Sequence, residues 1–193
     1  MNPIEAVLNY WFEGLDDSKL IDKKSSVVRK WFNGTPRIDE EIRTRFEDDL
    51  IKAKEGKYKN WEKPIRGRLA LVLLFDQFSR NIYRHTPEMY AADPLALDLT
   101  RRTTNEGLDE KLQLIERLFL YIPLMHSEDL ENQKKSILYF EGLIKLSQEK
   151  CPRNTAYFKD TLQYAQEHYK TLERFGRFPH RDAVLKRISQ RIF

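Results

Sequence analysis

Residues 69–96 read LALVLLFDQFSRNIYRHTPEMYAADPLA, and this stretch decides the class of fold. It begins with an unbroken apolar run, Leu69–Phe75, and neither glycine nor proline follows before Pro87. Such a run predicts a helix, and a helix that is apolar on every side is typical of the middle of a protein. Polar residues follow at once, starting with Asp76. Because buried polar groups must be paired, these residues need partners elsewhere in the chain.

The rest of the chain alternates helical periodicity with signals for helix starts and stops. Asn2-Pro3 begins a first helix, and Thr35-Pro36 or Asp39 begins a third, because a capping side chain precedes a residue suited to the first turn. Gly176 ends a long helix in the left-handed conformation that glycine tolerates. No segment alternates as a strand would. The sequence therefore predicts one all-α domain over residues 1–193 with about eight or nine helices.

Four further boundaries follow from the same signals. Asp93-Pro94 is typical of an N-cap followed by a first-turn proline, and Pro123 should end the helix in which it lies. Ser127 should cap the next helix, with acidic residues in its first turn. After Pro179 we expect a last short helix, whose apolar positions are Val184, Leu185 and Ile188.

Composition restricts the class of protein. Of 193 residues, 40% are hydrophobic, which suffices for a buried core, and 34 Lys plus Arg against 30 Asp plus Glu is too small an excess to predict a nucleic-acid partner. The single cysteine, Cys151, excludes an internal disulfide and fits a reducing compartment. Polar residues interrupt the apolar segment near Met1, and Leu69–Phe75 is too short to span a bilayer. We expect a cytoplasmic monomer or weak dimer without nucleic-acid or membrane partners.

Three strings carry a family resemblance when they are taken together. They are DQFSRNIYR at 76–84 with DPLA at 93–96, HSED at 126–129 with Gln133, and RFGRFPHR at 174–181. In this order and spacing the chain resembles the mostly bacterial family known as domain of unknown function 924, along nearly its whole length. The resemblance implies an all-α, tetratricopeptide-like, right-handed array of antiparallel helical hairpins, and no established activity. Ser79 stands where the family usually has proline, and Asp182 where asparagine is common.

The first string allows two interpretations. Asp76 and Arg80 could form an ion pair within one helix, with Gln77 and Asn81 bonded to neighbouring backbone. Alternatively, these side chains could form the floor of a polar pocket in which Arg80 and Arg84 face an anionic ligand. Planar guanidinium groups suit that task because they bind carboxylate and phosphate through paired hydrogen bonds.

The second string has a structural role as a capped helix start, and two chemical alternatives stand beside it. His126 or His168 could act as a general acid–base group. A divalent metal could instead be held by His126 and Glu128, together with Asp76 or His168. A lone His-x-Glu is a weak metal signal, however, so we predict no metal and no other cofactor.

The third string is the most basic cluster of the chain. Its arginines could pair with acids such as Glu128 or Asp129, with Gly176 ending the preceding helix. Alternatively, they could surround a carboxylate or phosphate, as Arg177, His180 and Arg181 would do. Since the signs of the three strings are complementary, we expect the strings to converge in one cluster.

Two functions from different classes remain open. The first is a binding protein for a small anionic ligand or an acidic peptide. The second is an enzyme, a hydrolase or transferase, in which a histidine acts as the acid–base group and arginines hold the substrate. The absence of a nucleophile–base pair favours binding. The candidate catalytic residues are His126 and His180. The candidate ligand-binding residues are Asp76, Gln77, Arg80, Asn81, Arg84, Glu128, Asp129, Gln133, Arg174, Arg177 and Arg181.

Overall fold

The structure is a computed structural model, and it describes residues 2–32 and 34–187. Over these residues every regular element is helical, which confirms the all-α prediction. Eight helices are present in this part of the chain, in agreement with the predicted number. They are α1 Pro3–Phe12, α2 Ser26–Phe32, α3 Pro36–Lys54, α4 (continuous through Ile65–Val72, Leu73–Phe78 and Ser79–Ile82), α5 Asp93–Asn105, α6 Leu114–His126, α7 Leu130–Lys150 and α8 Thr155–Phe175.

Local capping explains several of these boundaries. The Asn2 side chain accepts a hydrogen bond from the Ile4 backbone N–H at 3.1 Å, and Thr35 accepts one from Ile38 at 3.3 Å. Gly176 adopts φ +66°, and its backbone N–H donates to a carbonyl in the last turn of α8. The predicted starts of the first and third helices and the predicted end at Gly176 are therefore confirmed.

Helix α4 is the central helix, as the apolar run predicts. Its residues from Leu69 to Leu74 are buried, and α1, α3, α5 and α6 all pack around it. None of the helices in the described residues is long and apolar enough to cross a membrane.

One turn of α4 is wider than an α-helix. Leu73–Phe78 is π-helical, and the Ser79 backbone N–H donates to the carbonyl of Leu74, five residues back. A wide turn adds one residue to the helix and leaves a carbonyl without its usual donor. The Ser79 hydroxyl compensates by donating to the Phe75 carbonyl at 2.6 Å. The last polar residues of α4 thus follow a turn that helical periodicity alone does not predict.

Two helix boundaries differ from the prediction around Pro123. This proline lies inside α6, which begins at Leu114 and continues to His126. Proline removes a single donor from the ladder, and the two residues that follow, Leu124 and Met125, are buried. Their burial outweighs the lost hydrogen bond, so the helix does not end where the sequence signal places its end.

The predicted caps of α5 and α7 are also wrong. Asp93 is the first residue of α5 rather than its N-cap, and its carboxylate accepts hydrogen bonds from Arg80. Helix α7 is capped by Asp129, which accepts from the Asn132 backbone N–H at 2.9 Å, whereas Ser127 follows the end of α6. In both cases the side chain that is predicted to cap the helix accepts a hydrogen bond from another side chain instead.

After Pro179 the chain forms one 3₁₀ turn, Pro179–Arg181, followed by turns through Lys186. The helix predicted there is not present at Val184 and Leu185, and Ile188 lies outside the described residues. Asp182 is the first residue of these turns, and its carboxylate accepts a hydrogen bond from Arg177.

Candidate functional site

The centre of the site is a histidine–carboxylate pair that joins the end of α6 to the wide turn of α4. Nδ1 of His126 lies 2.7 Å from Oδ1 of Asp76. Asp76 is 0% exposed, and its other oxygen accepts a hydrogen bond from Nε2 of Gln77 at 2.5 Å. The second ring nitrogen of His126, Nε2, makes no hydrogen bond to any residue that the structure describes.

Two arginines surround this pair. Nη1 of Arg80 lies 3.2 Å from Asp76, and its two Nη atoms donate to the Asp93 carboxylate at 2.9 and 3.0 Å. Nη2 of Arg181 donates to the His126 carbonyl at 2.8 Å, and Nη1 lies 3.6 Å from Asp93. Two carboxylates therefore balance two guanidinium groups, and a neutral histidine leaves the cluster without net charge.

Burial and neighbouring charges set the protonation of the pair. Burial disfavours an ionised Asp76, but Arg80 and His126 outweigh it and hold the pKa of this carboxyl below its ordinary value. Burial also lowers the pKa of His126, an effect that Asp76 opposes and Arg80 reinforces. His126 is thus neutral near pH 7. Because an ionised Asp76 can only accept, Nδ1 carries the proton and Nε2 carries the lone pair.

His126 lines a cavity of about 270 Å³, called the inner cavity here. Its walls are mostly apolar and come from α2, α4, α6, α7 and α8. The apolar residues are Trp31, Phe32, Leu118, Ile122, Met125, Phe140 and Tyr164. The polar residues are Gln77, Arg80, His126, Thr161 and His168. The rings of His126 and His168 lie 6.2 Å apart, so a second imidazole stands beside the first.

A second cavity, of about 410 Å³, also reaches His126 and is called the polar cavity here. Its polar lining includes Asp93, Glu128, Arg181 and Arg187. Glu128 accepts hydrogen bonds from Arg187 at 2.8 Å and from the Phe178 backbone N–H at 2.9 Å. The three strings thus meet around His126, which separates an apolar space from a polar one.

A family model and a solved structure both match nearly the whole chain. The model of a family described as "Bacterial protein of unknown function (DUF924)" matches residues 7–191. The chain belongs to this family. It is also similar to the solved structure of a protein of unknown function from Agrobacterium tumefaciens, with 30% identity and a TM-score of 0.76, over 98% of this chain and 93% of that chain. No curated protein matches the chain.

In this DUF924 chain, two residues of the first string point away from the cluster. Asn81 donates to Asp39 at 2.8 Å, and Arg84 binds the same carboxylate through two hydrogen bonds at 2.6 and 2.7 Å. Both were predicted as ligand-binding residues beside Arg80. Instead, they connect the end of α4 to the first turn of α3, and neither lines the inner cavity or the polar cavity.

Three more candidates have structural partners of their own. Gln133 donates to the carbonyls of Met125 and Ser127 at 2.5 and 2.7 Å, and so caps the end of α6. Asp129 caps α7. Arg177 pairs with Asp182 at 3.0 Å rather than with Glu128 or Asp129.

The remaining two candidates lie at the surface. Arg174 is exposed and stands over the ring of Phe175 at 4.9 Å. His180 is exposed as well, with its ring 5.6 Å from that of Phe178. Among the described residues, no group of three His, Cys, Asp or Glu side chains is arranged to hold a metal ion.

Sequence reasoning missed several residues of the site. Asp93 was assigned to a cap, although it is the principal partner of Arg80. Tyr90 was not considered, yet the guanidinium groups of Arg80 and Arg181 lie 5.5 and 4.7 Å from its ring centre. The three strings contain more arginines than acids. This imbalance predicts that further acidic and aromatic residues pair with the arginines.

Proposed function

We propose that the protein binds a small, uncharged and largely apolar molecule in the inner cavity, and that His126 acts on it as an acid–base group oriented by Asp76. One observation supports this proposal above the others. His126 lines the cavity, Nδ1 is bonded to a buried carboxylate, and Nε2 has no partner among the described residues.

The pair has the chemistry that a general base needs. A carboxylate on one ring nitrogen fixes the tautomer and the ring orientation, and it stabilises the imidazolium that forms when the other nitrogen takes a proton. The pKa of His126 is lowered by burial, so the base is unprotonated at neutral pH. The reaction class is a hydrolase or a transferase, in which His126 accepts a proton from a hydroxyl group or from water.

The paired charges of the site support an uncharged ligand. Each arginine near His126 already faces a carboxylate: Arg80 binds Asp76 and Asp93, and Arg181 lies beside Asp93. A bound anion would have to displace one of these carboxylates and leave it buried without a partner, which is costly. The expected small anion or acidic peptide requires an excess of arginines, and these pairs leave no such excess beside the inner cavity.

The anionic ligand stays as a second candidate in the polar cavity, because one observation favours it. Nε of Arg181 is buried and has no hydrogen-bond partner in the described part of the chain. A phosphate or carboxylate that enters beside Arg181 and Arg187 would compete with Asp93 and Glu128 for these groups. Titration of inorganic phosphate against wild type and Arg181→Gln tests this candidate, and equal affinity in the two proteins would exclude it.

Phenol is a suitable first probe of the inner cavity, because it is neutral, flat and carries one hydroxyl group. We expect phenol to bind and to shift the Nε2 resonance of His126 in a nitrogen NMR titration. In His126→Gln the affinity should fall by about tenfold, the loss of one good hydrogen bond. His180→Gln is the matched control, since His180 is an exposed histidine that lines neither the inner cavity nor the polar cavity, and the affinity of this variant for phenol should equal that of wild type. Failure of phenol to bind wild type would overturn the proposal.

The acid–base role needs a separate measurement. We expect the protein to hydrolyse 4-nitrophenyl acetate, a neutral flat ester, with a rate that rises with pH through a pKa below the ordinary histidine value of about 6.5. That pKa should disappear from the profile of His126→Gln and persist in His180→Gln. An unchanged profile in His126→Gln would assign the hydrolysis to other groups.

We also propose the finer architecture that the family resemblance implies, a right-handed array of antiparallel hairpins like that of tetratricopeptide proteins. Short connections join α6 to α7 and α7 to α8, and short connections favour antiparallel neighbours. Tyr121 of α6 stacks on Tyr139 of α7 with ring centres 4.6 Å apart, as expected of a hairpin. Measuring the rotation between successive hairpins in an experimental structure tests the proposal, and a left-handed rotation would contradict it.

A cytoplasmic location is likewise our proposal. Cys151 is a buried thiol without a disulfide partner, which suits a reducing compartment. Fractionation of the native host tests it, and recovery of the protein from the periplasm or the medium would contradict it.

A further inference from the structure

We infer that Phe32 and Tyr164 form an aromatic clamp at the mouth of the inner cavity, and that the ligand is an elongated neutral molecule with a second flat ring between them. This inference rests on the proposed function of the inner cavity. It adds the class of ligand and two residues that determine specificity.

Both aromatic side chains are unusually exposed. Phe32 is 55% exposed and Tyr164 is 59% exposed, although most large hydrophobic residues of the described chain are buried. Scattered exposed hydrophobic residues need no explanation, but these two line the same cavity. Phe32 ends α2 and Tyr164 lies in the middle of α8, so two separate helices contribute these side chains to the lining of one cavity.

A larger space adjoins the inner cavity. An outer groove of about 760 Å³ shares Phe32, Thr161 and Tyr164 with the inner cavity. The inner cavity, at about 270 Å³, is small beside sites for drug-sized ligands, which measure about 300–1,000 Å³. A ligand with more than one ring that reaches His126 must therefore extend beyond the inner cavity, and the groove that shares Phe32 and Tyr164 offers the space.

The charges of the groove disfavour an anionic extension, because Lys23 pairs with only one of the two carboxylates that line it. Lys23 forms an ion pair with Asp160, and Glu167 accepts a hydrogen bond from Gln163 at 3.1 Å. Tyr157, which also lines the groove, is buried, and burial raises the pKa of its phenol, which stays neutral. The flat faces of Phe32 and Tyr164 are then the surfaces that a neutral ring would contact. Such aromatic contacts stabilise a complex by about 0.5–1.5 kcal/mol beyond the apolar area that they bury.

Three phenols separate the clamp from the inner cavity. Phenol fills the inner cavity alone, 4-phenylphenol adds a flat ring, and 4-cyclohexylphenol adds a ring of similar size that cannot stack. We expect calorimetry to show that 4-phenylphenol binds wild type more tightly than 4-cyclohexylphenol, which in turn binds more tightly than phenol. Phe32→Ala and Tyr164→Ala should each weaken 4-phenylphenol by about two- to tenfold, the equivalent of one lost aromatic contact. Both variants should weaken phenol by less than they weaken 4-phenylphenol, because the two side chains also line the inner cavity.

Leu138→Ala is the matched control, because Leu138 is 66% exposed and lines none of these cavities. It should leave all three affinities unchanged. The clamp is overturned if the two aromatic variants leave 4-phenylphenol binding unchanged, or if they weaken phenol as much as 4-phenylphenol. Binding of phenol to wild type with either of those results overturns the clamp and leaves the proposed function in place. No binding of phenol to wild type overturns the proposed function, and the clamp with it.

Discussion

Two arginines, one in α4 and one just after its end, form ion pairs of the same chemical type in different surroundings. Arg80 and Asp76 lie in the cluster around His126, whereas Arg84 and Asp39 lie at the first turn of α3. Asp76 is 0% exposed, while the side chains of Asp39 and Arg84 are 15% and 35% exposed.

The difference shows which feature marks a site. Asn81 and both nitrogens of the Arg84 fork occupy the Asp39 oxygens, and no group of this pair lines the inner cavity. Asp76 instead binds a histidine whose second nitrogen is left for a ligand. The two arginine–aspartate pairs therefore differ in one respect. The histidine that binds Asp76 has a ring nitrogen without a hydrogen-bond partner next to an apolar cavity, whereas the arginines of the two pairs are alike.

The largest effect should come from Asp76→Ala. This change leaves Arg80 and Arg181 to share Asp93, so one buried positive charge loses its partner. We expect the free energy of unfolding to fall by about 3–5 kcal/mol in urea denaturation. Asp39→Ala is the matched change in the other pair. It should lower the free energy of unfolding by only about 1 kcal/mol, because water reaches Arg84 and the attraction between Asp39 and the dipole of α3 is weak. Equal losses would show that burial does not distinguish the two pairs.

A smaller effect should appear on acidification. Burial lowers the pKa of His126, His168 and His180, so below about pH 6.5 the unfolded chain binds protons that the folded protein does not. Because the unfolded state binds more protons there, stability falls as the pH drops from about 6.5. Asp76, with its lowered pKa, acts in the same direction only below about pH 3.9.

Thermal melts between pH 7.5 and 5 measure this loss. His126→Gln should flatten the dependence of Tm on pH, since it removes one of the three imidazoles whose pKa is lowered in the folded protein. A slope identical to that of wild type would place the pH dependence outside the His126 cluster.

The smallest effect should come from Arg177→Ala. Arg177 binds Asp182 in the turn after α8 and lines none of the cavities that reach His126. We expect no measurable change in Tm and no change in the affinity for inorganic phosphate. A loss of phosphate binding in this variant would add Arg177 to the site and support an anionic ligand.

Much of the fold could be predicted because its signals are local. Asn2, Thr35 and Gly176 act within a few residues of the helix ends that they determine, so their roles are visible in the sequence. The failures at Pro123 and Asp93 have the opposite cause. Burial of the residues after Pro123 and the demand of Arg80 for a carboxylate both depend on tertiary packing, which overrides local preference.

The site could be predicted in kind but not in detail. Polar residues after a buried apolar run have to be paired, and the Asp76–Arg80 pair and the meeting of the strings near His126 follow from that rule. The choice of Asp39 for Arg84 does not follow from it, because these residues lie 45 positions apart. The clamp residues Phe32 and Tyr164 carry no local signal, since an exposed aromatic residue resembles a core residue in the sequence.

The wide turn of α4 lets the arrangement tolerate a change in chain length at one place. Deleting one residue from Leu73–Phe78 would let the helix return to regular α-helical hydrogen bonding, so the backbone itself would tolerate the loss. Because the wide turn holds one extra residue, the residues after it would keep their orientation around the helix axis. Arg80 would still face Asp93, and Arg84 would still face Asp39. The same deletion just after the turn has no extra residue to absorb it, so every later residue would rotate by about 100° around the helix axis, and a single-codon deletion that is silent at one position would separate ion pairs a few positions later.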